Sequence, residues 1–92
     1  MENTQFLKVG QVVRSKSGKD QGRVFVIIEI VDEKFVKIVD GEKRLLKKPK
    51  LKKLKHLIVY KDVLDPIRTR ECGIYQFNDA YIRRLLSPYN ID

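Results

Sequence analysis

Gly10-Gln-Val-Val-Arg-Ser-Lys-Ser-Gly-Lys-Asp-Gln-Gly-Arg-Val-Phe-Val-Ile-Ile-Glu-Ile30 is the stretch whose reading decides the fold. It opens inside Val9–Ser15, a run rich in β-branched residues, which suit a pleated, half-buried surface and predict a strand. Lys16–Gly22 is turn material, because its two glycines permit positive φ and its other members are small or polar. Arg23–Val31 follows as a longer strand, apolar enough for a core position. Working outward, Asp32–Lys34 predicts a turn into a third strand, Phe35–Val39. Asp40-Gly41 is the strongest hairpin signal, since both residues tolerate the positive φ of a type I′ turn. The return strand falls at Lys43–Lys47, Pro49 breaks it, and Ile58–Tyr60 supplies a closing strand. Five short strands joined by tight turns predict a mainly β fold: a small, strongly curved five-stranded antiparallel barrel, whose closure would shield the sheet edges.

The C-terminal third reads differently. Asn78 is placed to cap a helix beginning at Asp79 and running to Ser87, with Pro88 as its stop. Ile82, Leu85 and Leu86 share one face of that helix and are expected to pack on the barrel. Asp62 to Gln76 reads as an irregular loop with a short strand around Ile74-Tyr75, and no internal repeat is visible. The 92 residues make one domain, with the barrel at about 7–60 and a C-terminal extension whose helix covers about 78–87. At 42% apolar and 35% charged, the chain can build a small core. Met1–Gln5 lacks the basic and apolar regions of a secretion signal, and no apolar run approaches the roughly 18 residues of a membrane span. A single cysteine, Cys72, cannot form an internal disulfide and fits a reducing, cytoplasmic setting. It reads as a packing residue or an incidental surface thiol.

The charge is concentrated. Lys43-Arg-Leu-Leu-Lys-Lys-Pro-Lys-Leu-Lys-Lys-Leu-Lys-His56 carries Lys43, Arg44, Lys47, Lys48, Lys50, Lys52, Lys53 and Lys55 and no carboxylate. The chain has 20 Lys+Arg and 12 Asp+Glu, so removing these eight cations leaves 12 against 12. A balanced body with one cationic segment is the footprint of a polyanion binder, first of all nucleic acid. The bland alternative is a solvated lysine face, which ordinarily has acids interspersed. Leu45, Leu46, Leu51, Leu54 and Leu57 alternate with the cations and are expected to pin the segment down with its lysines outward. Lysine outnumbers arginine seven to one there, which favours point-charge contact with phosphate over bidentate reading of bases.

Catalysis has little to stand on. One histidine, one cysteine and no metal-ligand spacing argue against zinc chemistry, and there is no phosphate-binding or dinucleotide fingerprint. A Cys72–His56 dyad would lack an orienting group and an oxyanion site. The expectation is therefore a non-enzyme without cofactor, metal or small-molecule substrate.

The run from Gly10 to Ile30 resembles a KOW motif, a strand–loop–strand unit of SH3-like barrels in ribosomal and transcription-elongation proteins. Gly10, Val12, Val13, Ser17, Gly18, Lys19, Asp20, Gly22 and Val24 carry the match. Lys52-Lys-Leu-Lys-His-Leu57 resembles the strand-end segment of small KOW-type large-subunit ribosomal proteins and their short bacterial relatives. The resemblance covers roughly residues 7 to 60. Phe25 departs from it, standing where many such sequences keep a small residue, and nothing from Asp62 onward can be carried over. It implies an SH3-like five-stranded barrel that binds RNA, ribosomal RNA in the first place.

The residues themselves suit that chemistry. Glycines let backbone N–H groups approach an anion, Lys19 adds charge and Ser17 adds a hydroxyl. For Gly22 an ordinary hairpin turn, with the glycine serving geometry alone, is the favoured reading, and for Lys16 and Lys19 both readings stay open. Phe25 and Phe35 read as core. Tyr60 would either stack on a base or cap the barrel. His56 would be a hydrogen-bonded strand-end residue or a phosphate contact, and the family pattern favours the former. The expected RNA surface comprises Arg14, Lys16, Ser17, Gly18, Lys19, Lys43, Arg44, Lys47, Lys48, Lys50, Lys52, Lys53, Lys55, His56 and Tyr60. It would grip the phosphate backbone of structured RNA. The alternative is a module that docks on RNA polymerase or a ribosomal protein. Membrane binding is disfavoured by Pro49 and by the lack of an aromatic anchor in the basic run.

Overall fold

The computed structural model describes residues 7–64, 67–68, 75–76 and 78–90. β1 (Gln11–Ser15), β2 (Val24–Ile30) and β3 (Phe35–Val39) form where the β-branched runs place them, each within two residues of the expected bounds. The fourth strand does not. β4 is Lys50–Lys53, after Pro49 rather than before it, and β5 (Leu57–Val63) extends beyond the expected Ile58–Tyr60.

The hairpin expected at Asp40-Gly41 is replaced by a long connection. Gly41 has φ +78°, whereas Asp40 does not adopt the positive φ that a type I′ turn requires. Instead, Asp40 Oδ1 accepts the backbone N–H groups of Glu42 (2.9 Å) and Arg44 (2.8 Å). An aspartate bonding its own downstream backbone offers a loop in place of a tight turn.

The strands form one antiparallel sheet in the order β4-β3-β2-β1-β5. β4 and β5 lie at opposite edges and do not pair with each other, so the sheet is open and the predicted closed barrel is corrected. Strand number and pairing direction follow from local pattern, but closure requires the two edge strands to share a ladder. Here a 3-10 turn, Leu54–His56, carries the chain from β4 to β5, with Leu54 N–H donating to the Lys34 carbonyl and Lys16 N–H to that of His56.

Both faces of the sheet are apolar, which explains the unbroken apolar run of β2. Phe25 and Ile27 join Val13, Val36 and Ile38 on one face, covered by Leu54 and Leu57. Val24 and Val26 join Val12 and Val39 on the other, covered by Ile82 and Leu86 of the helix.

That helix, α1 (Asp79–Leu86), starts as expected: Asn78 Oδ1 accepts the Tyr81 N–H at 2.8 Å. It runs into a 3-10 turn, Ser87–Asn90, which contains Pro88. Leu85 is half-buried. Gly41 lets α1 approach, since a Cβ there would collide with the Asp79 carbonyl oxygen and lie 2.7 Å from the Arg83 nitrogen. Between β5 and α1, β6 (Ile67–Arg68) pairs with β7 (Tyr75–Gln76), which lies one residue along from the short strand expected around Ile74-Tyr75. Ile74 and Cys72 lie outside the described residues.

Candidate nucleic-acid interface

Where β2 begins and β3 ends, the loop 16–23 and the connection 40–49 leave the sheet side by side. Between them and the Ser87–Asn90 turn lies a cleft of ≈ 600 Å³. Lys19, Asp20, Gln21, Gly22 and Arg23 line it from the first loop, Lys43, Arg44 and Lys50 from the second side, and Tyr89 and Asn90 from the third.

Five of these side chains are cationic, but they are not equivalent. Arg23 pairs with Asp40 through Nε and with Glu42 through Nη2 at 3.2 Å. Lys50 Nζ lies 2.8 Å from Asp20 Oδ2. Lys19, Lys43 and Arg44 are exposed and make no ion pair among the described residues. These three are the cations available to an external anion.

Asp20 is the hub of the first loop. Ser15 Oγ, buried at the end of β1, lies 2.9 Å from both Asp20 Oδ1 and the Ser17 carbonyl, with one proton to share between them. Lys52 Nζ donates to the Ser17 carbonyl (3.2 Å) and lies 3.4 Å from Asp20 Oδ1. Burial pushes the Asp20 carboxyl up, but hydrogen bonds from Lys50 and Ser15 and the charges of Lys52 and Lys50 outweigh it and hold it at about 2. The carboxylate therefore stays ionised and fastens the loop to β4. Gly18 and Gly22, at φ +86° and +88°, supply the reversals that the loop needs.

The basic segment does not act as one surface. Lys50 and Lys52 pair in register with Ile38 and Val36, on the face of Phe25 and Ile27. Lys53 is on the other face by strand alternation, its Nζ 5.9 Å from the centre of the Phe35 ring. Lys47, Lys48 and Lys55 are exposed but lie outside the cleft lining, and His56 is half-buried on the 3-10 turn. Leu54 and Leu57 pin the segment as expected, whereas Leu51 is 54% exposed.

Of the remaining candidates, Lys16 is exposed, Ser17 serves the Asp20 network through its carbonyl, and Arg14 Nη2 reaches the vicinity of Gly22. Tyr60 is half-buried in the helix-side core, its ring 5.9 Å from that of Tyr89. Arg23, Gln21, Tyr89 and Asn90 were not legible as cleft residues. Tyr89 arrives there only because Asn90 is bonded to β2: its Oδ1 accepts the Val24 N–H (2.8 Å), and its Nδ2 donates to the Val24 carbonyl (3.2 Å).

Among the described residues, no three His, Cys, Asp or Glu side chains gather as a metal site, and no helix is long and apolar enough to cross a membrane. The chain matches no protein-family model, and no curated protein aligns with it significantly. With an open sheet and no family match, the resemblance to KOW-type ribosomal proteins is set aside.

Proposed function

We propose that this protein binds RNA, holding phosphates with Lys19, Lys43 and Arg44 at the cleft and with Lys47 and Lys48 on the adjoining connection. The observation that carries this reading is the meeting of unpaired cations from two separate loops at one concavity. Its one lining carboxylate, Asp20, is already engaged by Lys50 and Lys52. Phosphate contacts by point charges give backbone recognition with strong salt dependence. Three such contacts correspond to a slope of about −2 to −3 in log K against log salt.

The test is charge reversal at Lys19, Lys43 and Arg44 together, read by fluorescence anisotropy with an RNA hairpin carrying an unpaired loop. These side chains are exposed, so circular dichroism and thermal unfolding should stay unchanged. Affinity should fall roughly tenfold or more at ~100 mM salt, and the salt slope should shrink by about 2. An unaltered affinity and slope would overturn the reading. Lys52 and Lys53 are poor sites for this test, because their charges already serve Asp20 and Phe35.

A second reading, docking on a protein, is favoured by the edge strand β5. Ile58, Val59 and Val63 on it are 39–42% exposed, as a strand that receives a partner strand would be. Retention by a partner after nuclease treatment, lost on Val59→Lys, would support it.

A further inference from the structure

We infer, resting on the RNA-binding reading, that the cleft takes one unpaired nucleotide, its base against Tyr89 and its phosphate among Lys19, Lys43 and Arg44. The shape comes first. A volume of ≈ 600 Å³ lies within the range of sites for small ligands, and it is concave. An intact A-form duplex stacks its bases inside and offers only its backbone and a shallow minor groove, so it cannot place a base in such a cleft. A splayed nucleotide can.

The wall chemistry agrees. Tyr89 lines the cleft, and its position is set from outside it: the hydroxyl donates to Asp62, and the ring lies tilted by 33° on Tyr60. A ring held in place before binding loses little freedom when a base stacks on it. Phe25 also borders the cleft but is 1% exposed, so Tyr89 is the aromatic face on offer. Of the two amides in the lining, Asn90 is spent on the Val24 N–H and carbonyl, whereas Gln21 is exposed. Stacking on a ring is itself tolerant of base identity, so any sequence preference at this cleft would have to come from Gln21, the exposed amide of its lining.

Three ligands of equal phosphate count test the inference on the unmodified protein: a mixed-sequence single-stranded RNA, a blunt duplex of half its length, and an abasic strand as long as the first. The single strand should bind roughly 5- to 100-fold more tightly than the abasic strand, and more tightly than the duplex. Tyr89→Leu should remove that preference, whereas Tyr89→Phe, which keeps the ring and loses only the bond to Asp62, should retain it. If the single strand and the abasic strand bind equally, or the duplex binds best, the nucleotide site falls while RNA binding stands. If none of the three binds, both fall. The comparison on the unmodified protein does not depend on whether Tyr89→Leu folds.

Discussion

Two loops flank the cleft, and each is organised by one aspartate, but the two carboxylates do different work. Asp40 is fully buried, accepts two backbone N–H groups and pairs with Arg23. Asp20 is partly exposed and is held by a serine and two lysines. The first replaces backbone hydrogen bonds that a tight hairpin would have made, so it belongs to the fold. The second holds two cations of the basic segment in the protein, so it governs how many charges face outward. A carboxylate beside a basic cleft can thus be structural or electrostatic in role, depending on whether its partners are amides or lysines.

Three changes would break or sharpen that contrast. Asp40→Ala should have the largest effect, a loss of about 3–5 kcal/mol in chemical denaturation, because it orphans two amides and takes from the partly exposed Arg23 its buried partner. A loss below 1 kcal/mol would show that the connection 40–49 is held by something else. Gly41→Ala follows, at about 2–4 kcal/mol, from the strain of positive φ and the collision with α1. It should weaken helix docking, visible as faster amide exchange in α1, and unchanged exchange would count against that contact.

Asp20→Asn should cost the least, about 2 kcal/mol, and should tighten RNA binding. Its carboxyl sits at about 2 in the folded chain, against about 4 in the unfolded chain. The stabilisation is therefore complete above pH 4 and is lost as pH falls through about 2. Acid unfolding of Asp20→Asn should show a shallower slope in that window. With Lys50 and Lys52 released, the salt slope for RNA should steepen, by up to about 2. Weaker RNA binding with an unchanged slope would make Asp20 purely structural.

Much of the sheet was legible because its determinants are local. The β-branched runs of β1 to β3, the Asp32–Lys34 turn and the Asn78 cap each act within a few residues. The misplaced fourth strand has a non-local cause. Leu46 N–H donates to Asp79 Oδ1 at 2.8 Å, and Gly41 packs under α1, so residues 40–49 answer to a helix far along the chain. The basic segment was legible as a cluster of charge, but the pairing of Lys50 with an aspartate 30 residues earlier was not. Nor was Tyr89, which reaches the cleft through the bond of Asn90 to Val24.

By itself, the order of residues determined strand-forming runs, helix start and net charge, because propensity, capping and composition depend on near neighbours alone. Only the tertiary structure decided whether the sheet closes, which cations stay unpaired and which aromatic ring meets them. Those outcomes depend on contacts between residues tens of positions apart, which no local pattern encodes.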